Sequence, residues 1–238
     1  VSTTEEASEV LRSTVIDLVI CMPGNADNDA FDVARDIKSR FPTIHCVVLT
    51  PFSHGITKRM ENEDLSIFDY VFCWLGNTNL ILSIIKLIED KMNLEHDIQE
   101  AGVQMILLVE DSIRFYSSIL PNLYNYILEQ SKNFSKEALN RHAATMRMRG
   151  RPKVVLARTY EEAQKLYDKY SNNTLGVISD ARFPLKSAAK AFGNKVETEA
   201  KPKHRTDTFG REKCPDAGLQ LFRYIRKNDP FVPCLLYT

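Results

Sequence analysis

Short apolar runs alternate with helix-length amphipathic segments along most of this chain, and the alternation constrains the fold more than any other feature. The run QMILLV at 104–109 is almost purely apolar, as expected of a strand in a sheet that helices cover on both faces. Strands that alternate with helices form βαβ units, in which neighbouring strands are parallel. The pattern therefore predicts an α/β fold built on parallel sheets.

The predicted elements fall into two series. Predicted strands lie at 16–21, 44–49 and 70–74 in the first half and at 104–109, 153–157, 174–179 and 233–237 in the second. Predicted helices lie at 4–12, 30–40, 55–65, 79–99, 112–131, 161–170 and 218–227. We expect two units, 1–99 and 100–238, with a long polar insertion at about 185–214 in the second.

Two pairs of similar segments suggest an internal repeat. TTEEASEVL at 3–11 is similar to TYEEAQKLY at 159–167, and FDVARDIKSRFPTIHCVVLT at 31–50 is similar to LQLFRYIRKNDPFVPCLLYT at 219–238. Two matches in the same order favour duplication, and two unrelated α/β pieces are the alternative. We expect both units to be incomplete at the chain ends, either because the chain is a fragment or because another chain supplies the missing strands.

Composition limits the cellular location and the classes of partner that we expect. Lys and Arg number 31, as do Asp and Glu, so net charge gives no reason to expect nucleic acid or a membrane as the main partner. The five cysteines form no CxxC pair and favour free thiols in a reducing cytoplasm. The longest strongly apolar stretch, 80–88, is too short to cross a bilayer. We therefore expect a cytoplasmic protein.

Acidic residues follow two of the predicted strands in the second half. Glu110 and Asp111 come directly after the strand at 104–109, and Asp180 follows the strand at 174–179. In open parallel sheets, ligands bind outside the carboxyl ends of the strands. If these two strands are neighbours, three carboxylates meet there, and their repulsion is costly unless a cation joins them. Hard oxygen ligands favour Mg²⁺, which also binds phosphate oxygens.

Such an arrangement is suited to forming a phosphoaspartate. Asp180 stands alone at its strand end and is the predicted nucleophile toward a phosphoryl group. Glu110 and Asp111 are the predicted metal holders, with the backbone carbonyl of Arg182 as a further ligand. Thr238 ends the next strand, and its hydroxyl can donate a hydrogen bond to a phosphoryl oxygen. The alternative is that the acidic pair merely caps the helix that follows it.

These motifs resemble the receiver domain of bacterial response regulators. ILLVEDS at 106–112 is similar to the family's first strand and acidic pair, SDARFP at 179–184 to its phosphoacceptor motif, and the segment 216–238 to its third helix and fourth strand. The resemblance implies a doubly wound, flavodoxin-like fold of strand order 2-1-3-4-5. It also implies Mg²⁺-dependent phosphoryl transfer from a histidine kinase or phosphotransfer protein. The family's catalytic lysine follows a fifth strand, which would lie beyond Thr238.

The first half resembles a receiver whose chemistry is lost. Its phosphoacceptor position falls on Met22 or Val19, and its lysine position on Cys73 or Trp74. The pairing is similar to the tandem receiver-like modules ahead of bacterial phosphoenolpyruvate synthase/pyruvate phosphate dikinase-like enzymes. That resemblance implies the alternative function, a non-phosphorylated interaction or dimerisation module that regulates a larger phosphotransferase.

Three further segments have a functional and a structural interpretation. The helix at 79–99 either couples the two units or pairs with its twin in a homodimer, or it simply runs on from the first unit as a linker. The basic stretches 141–153 and 201–213 either bind a phosphate-rich ligand or form solvated loops. The insertion beside Asp180 is expected to act as a lid or a docking surface.

Overall fold

The computed structural model of the chain describes residues 3–22, 30–51, 67–186 and 211–238. The predicted helix at 55–65 and most of the predicted insertion, 187–210, lie outside these residues. The chain divides into two compact units, 1–88 and 89–238. The division falls within the helix Asn79–Ala101, whereas the sequence analysis placed the boundary near the end of that helix.

The first unit contains a three-stranded parallel sheet, whose strands stand in the order β1 (Leu18–Cys21), β2 (His45–Pro51), β3 (Tyr70–Trp74). Residues 46–50 of the central strand β2 are all buried. The three predicted strands are confirmed, with ends that move by at most two residues. In chain order the elements are α1 (Thr4–Ser13), β1 (Leu18–Cys21), α2 (Ala30–Arg40), β2 (His45–Pro51), β3 (Tyr70–Trp74) and α3 (Asn79–Ala101), which crosses the division.

The second unit is built on a four-stranded parallel sheet, whose strands stand in the order β5 (Lys153–Ala157), β4 (Met105–Val109), β6 (Thr174–Asp180), β9 (Cys234–Tyr237). Its four predicted strands are confirmed. After α3, its elements are β4 (Met105–Val109), α4 (Ile113–Lys136), α5 (Arg141–Arg149), β5 (Lys153–Ala157), α6 (Tyr160–Tyr170), a 3₁₀ turn (Ser171–Asn173), β6 (Thr174–Asp180), β7 (Phe183–Pro184), β8 (Lys213–Cys214), α7 (Ala217–Asn228) and β9 (Cys234–Tyr237). The strands β7 and β8 form a separate antiparallel pair.

The sheet of the second unit is buried on both faces at its central strand. Met105, Leu107 and Val109 belong to a core cluster to which α6 and α7 also contribute. Leu108 points to the other face and is also fully buried. This burial explains why β4 is apolar at every position instead of alternating. The chain therefore has an α/β structure with parallel sheets, as the sequence predicts.

One of the internal sequence matches has a local explanation. Thr3 accepts a hydrogen bond from the backbone N–H of Glu6 at 3.2 Å, and Thr159 accepts one from the backbone N–H of Glu162 at 3.2 Å. Both threonines are thus N-caps of short helices, a role that favours this sequence pattern wherever a helix starts. Capping alone accounts for the shared Thr-x-Glu-Glu, so duplication stays a prediction.

The first basic stretch is largely helical. Helix α5 begins after the N-cap Asn140, whose side chain accepts from the backbone N–H of Ala143 at 2.8 Å. The helix has no buried residue. The solvated-loop interpretation of 141–153 was therefore wrong about its conformation. Within the described residues, the helices are either too short or too polar to cross a bilayer.

A buried ionic network within the second unit is centred on Asp90, in the middle of α3. The Asp90 carboxylate is fully buried and lies 2.6 Å from Nη2 of Arg151. It also accepts hydrogen bonds from the Tyr124 hydroxyl at 2.9 Å and from the backbone N–H of Val154 at 2.9 Å. Because these partners lie on α4 and at the start of β5, Asp90 ties three elements together.

Replacing this carboxylate should strongly destabilise the second unit. Asp90→Ala leaves the Arg151 guanidinium buried without its main counter-ion, which costs about 3 kcal/mol of unfolding free energy. Urea denaturation followed by circular dichroism measures the loss. Lys165→Ala, which breaks an exposed ion pair with Glu161 in the same unit, should cost at most about 0.5 kcal/mol. Equal losses in the two variants would contradict the importance of the network.

Candidate functional site

The acidic residues lie at the carboxyl edge of the four-stranded sheet. Strands β4 and β6 are parallel neighbours, and Val109 pairs with Ser179 in their register. Glu110 and Asp180 are the next residues after this pair, so they lie side by side on adjacent strands. The apolar run of each strand ends here, where the chain leaves the core of the sheet.

The structure brings the three predicted acids together. Glu110, Asp111 and Asp180 each place a carboxylate oxygen so that all three oxygens lie within 4.8 Å of one another. Glu110 and Asp111 are fully buried, whereas Asp180 is only partly buried. Of the three, Asp180 is thus the carboxylate that a reactant can approach from solvent.

Two hydrogen bonds hold Glu110 in place. Its Oε1 accepts from the backbone N–H of Ser112 at 2.9 Å, and its Oε2 accepts from the hydroxyl of Tyr237 at 2.6 Å. The bond to Ser112 agrees with the capping interpretation of the acidic pair. Helix capping does not explain the bond to Tyr237, because Tyr237 lies on β9 at the far edge of the sheet.

Burial controls the protonation of Glu110. Burial, with a smaller contribution from the nearby Asp180 and Asp111 carboxylates, raises the pKa of the Glu110 carboxyl to about 7. The hydrogen bonds from Tyr237 and Ser112 act in the opposite direction. Burial also raises the pKa of the Tyr237 phenol, and the adjacent Glu110 adds to the increase. Near neutral pH, Glu110 therefore exchanges readily between its protonated and ionised forms.

Lys213 supplies a positive charge inside the acidic cluster. Its Nζ lies 2.7 Å from Oδ2 of the fully buried Asp111. The lysine is on β8, where it pairs with Pro184 of β7. Sequence reasoning missed this contact because Lys213 ends a basic stretch that was assigned as a whole to the insertion. Strands β7 and β8 are far apart in sequence, and their short pairing brings Lys213 to Asp111.

Backbone contacts set the position of Asp180. The backbone N–H of Ala181 donates to Oδ1 of Asp180 at 2.6 Å and to the carbonyl oxygen of Tyr237 at 3.0 Å. The carbonyl of Ala181 in turn accepts from the N–H of Gly218 at 3.1 Å. Asp180 is thereby tied to β9 and to the first turn of α7.

Gly218 is a site residue that sequence reasoning did not single out. A Cβ at this position would lie 2.6 Å from Cδ1 of Leu236 and 3.0 Å from Cα of Ala181, and it would clash with the carbonyl oxygen of Asp180. Only glycine allows α7 to approach the end of β6 this closely. The helix start is thus packed directly against the backbone of the predicted nucleophile.

The other two predicted site residues lie at the same sheet edge. Thr238 directly follows Tyr237, which pairs with Asp180 in the strand register, and its side chain is exposed. Arg182 lies between β6 and β7 with an exposed side chain. Within the described part of the chain, no hydrogen bond joins the Thr238 hydroxyl to Asp180. Their roles as switch hydroxyl and carbonyl ligand stay predictions.

No protein-family model matches this chain, and no curated protein is detectably similar to it. The resemblance to receivers therefore depends on sequence motifs alone, namely ILLVEDS, SDARFP and the segment 216–238. What the site can do follows from its own geometry: two buried acids, one accessible acid and one lysine at the edge of a parallel sheet.

Adding a methyl group at Gly218 should disturb the site and the fold together. We expect Gly218→Ala to lower the unfolding free energy by about 2 kcal/mol, because α7 must move away from β6. Urea denaturation measures the loss. Gly150→Ala is the matched control, because Gly150 has a φ of −75° and its added Cβ would come no closer than 3.3 Å to its nearest neighbour. A loss at Gly218 no larger than at Gly150 would contradict the close packing.

The Glu110 carboxyl should make stability depend on pH. Its folded pKa of about 7 exceeds the ordinary value of 4.5, so between these values the folded state keeps a proton that the unfolded state has lost. Stability therefore falls as pH rises through this window, by on the order of 3 kcal/mol. The glutamine side chain of Glu110→Gln cannot ionise, so the stability of this variant should not show the decrease that Glu110 causes over this pH range.

The measurement is urea denaturation of both proteins in chelator at several pH values from about 5 to about 8. Glu100→Gln, which removes an exposed carboxylate on α3, serves as the control and should follow the wild type. If the Glu110→Gln and wild-type curves stay parallel over this range, the raised pKa is refuted.

Proposed function

We propose that the chain is a phosphorelay signal-transduction module whose second unit accepts a phosphoryl group on Asp180 with Mg²⁺ as cofactor. The donor is a histidine kinase or a phosphotransfer protein. The observation that carries the proposal is the convergence of Glu110, Asp111 and Asp180 within 4.8 Å, with only Asp180 open to an approaching reactant.

The donor set suits a small hard cation. All three groups are carboxylates, which Mg²⁺ prefers. One oxygen of each lies within 4.8 Å of the other two, so the three groups could bind a single ion. Glu110, Asp111, Asp180 and the carbonyl of Arg182 would hold the ion, which supplies charge neutralisation for the transferred phosphoryl group.

The remaining chemistry is a displacement at phosphorus. A carboxylate oxygen of Asp180 attacks the phosphorus of a phosphohistidine, forming a P–O bond while the P–N bond breaks. The leaving imidazole keeps the electron pair and takes a proton from solvent. The N–H of Ala181, which donates to Oδ1, holds the Asp180 carboxylate in one orientation during the approach.

The sheet supports a receiver-like fold. In chain order, the strands of the second unit stand second, first, third, fourth across the sheet. This sequence is the beginning of the flavodoxin-like order 2-1-3-4-5 that the proposal assigns. The acidic residues follow the first and third strands, next to the point where the strand order reverses.

The contacts of Asp180 suggest how a phosphoryl group is sensed. Tyr237 pairs with Asp180 in the strand register and donates to Glu110. We assign the switch hydroxyl to Thr238, the residue that directly follows β9. A new negative charge on Asp180 draws this hydroxyl inward and shifts β9. Helix α7 shifts as well, because Gly218 in its first turn packs against the end of β6.

One observation favours the alternative function. The ion pair of Lys213 with Asp111 already neutralises part of the acidic cluster at 2.7 Å. A cluster balanced in this way can persist without a metal or a phosphoryl group. The chain would then be an interaction or dimerisation module that regulates a larger phosphotransferase of the phosphoenolpyruvate synthase-like class.

A phosphorylation assay separates the two functions. With acetyl phosphate and Mg²⁺, we expect intact-mass spectrometry to show the addition of one phosphoryl group. Asp180→Asn should abolish the addition because an amide is a poor nucleophile. Asp168→Asn, which changes an acid on α6 outside the cluster, should leave it intact. If the wild type shows neither an adduct nor Mg²⁺ binding, the interaction module is favoured.

A further inference from the structure

Lys213 occupies a position that matters for any cation at the site. Its ammonium nitrogen lies 2.7 Å from Oδ2 of Asp111, a carboxylate with no solvent exposure. The lysine side chain keeps 21% of its surface exposed. The side chain thus contacts a fully buried carboxylate and still keeps part of its surface in solvent.

A divalent ion and this ammonium group require the same negative charge. One carboxylate oxygen of Asp111 lies within 4.8 Å of one oxygen each of Glu110 and Asp180, and the lysine nitrogen contacts the same Asp111 carboxylate, so a metal held by all three acids would be close to the ammonium group. Two cations at that separation repel strongly in a site with little water. Occupation of Asp111 by one of them therefore disfavours the other.

We propose that Lys213 is a tethered counter-ion that competes with the divalent cation for Asp111. Without the metal, the lysine offsets the repulsion among the three carboxylates. When the metal binds, the lysine side chain leaves Asp111 toward solvent, which its partial exposure allows. This inference rests on the proposed function, in which the cluster binds Mg²⁺.

The position of the lysine in the fold gives the competition a consequence. Lys213 lies on β8, which pairs with β7 only three residues after Asp180. The β7–β8 pair holds the lysine close enough to reach Asp111, while a flexible lysine side chain allows release without moving the strands. Metal loading therefore changes the charge displayed beside Asp180, where a phosphoryl donor must approach.

Metal affinity tests the competition directly. Mn²⁺ binding to the full chain is measured by electron paramagnetic resonance near pH 8, with Mg²⁺ as a displacing ion. We expect Lys213→Met to bind Mn²⁺ about tenfold more tightly than the wild type, since the competing charge is gone. Lys213→Arg keeps the charge and should stay near the wild-type affinity.

Lys186→Met is the matched control. Lys186 is exposed and lies two residues after Pro184, the partner of Lys213 in the β7–β8 pair. Lys186→Met lowers the net charge by the same amount as Lys213→Met but leaves the ion pair between Lys213 and Asp111 in place. The affinity for Mn²⁺ should therefore change by less than about twofold. Equal or weaker binding by Lys213→Met than by the wild type overturns the inference while leaving the proposed metal site intact. No binding by any of the proteins overturns both.

A second measurement uses the wild-type protein and does not depend on the folding of a variant. Brief acetylation followed by peptide mass spectrometry reports how accessible each lysine is. We expect saturating Mg²⁺ to raise the acetylation rate of Lys213 about threefold or more, because its ion pair with Asp111 is broken. The rate at Lys186 should stay constant. An unchanged rate at Lys213 under metal saturation means that the lysine does not leave Asp111, and the inference fails.

Discussion

Mutual repulsion among three carboxylates is the constraint around which the second unit is arranged. Parallel strands end at a common edge, so the acids after β4 and β6 converge whether or not their charges are compatible. The chain offsets the repulsion differently at each position. Glu110 has a raised pKa and two hydrogen-bond donors, Asp111 has the ammonium group of Lys213, and Asp180 stays in contact with solvent.

These different environments give the three acids different capacities. Glu110 exchanges its proton near neutral pH, which suits reversible binding of a cation. Asp111 suits it as well, because a flexible lysine side chain neutralises it. The partly exposed Asp180 is suited to attack an incoming phosphoryl group. Its backbone contacts reach β9 through Ala181 and α7 through Gly218, so a change at Asp180 acts on two elements of the unit at once.

The sequence predicted the strands and the acidic edge because both depend on local patterns. An apolar run followed by acids marks a strand end, and adjacent parallel strands bring such ends together. Lys213, Tyr237 and Gly218 were missed as partners of the acids, since each reaches the site through pairings between segments far apart in sequence. The Asp90 network was missed for the same reason, because Asp90 and Arg151 are 61 residues apart. The Thr-x-Glu-Glu match shows the converse, because helix capping at Thr3 and Thr159 explains it without deciding whether the two segments are a repeat.

The central claim is that Glu110, Asp111 and Asp180 hold a divalent cation beside an accessible carboxylate. Anomalous X-ray scattering from crystals of the chain grown with Mn²⁺ tests it most directly. The account predicts one strong peak within bonding distance of all three carboxylates, with the Lys213 ammonium group withdrawn from Asp111. A map without a peak at these residues, in which the lysine still lies against Asp111 under saturating metal, would contradict it.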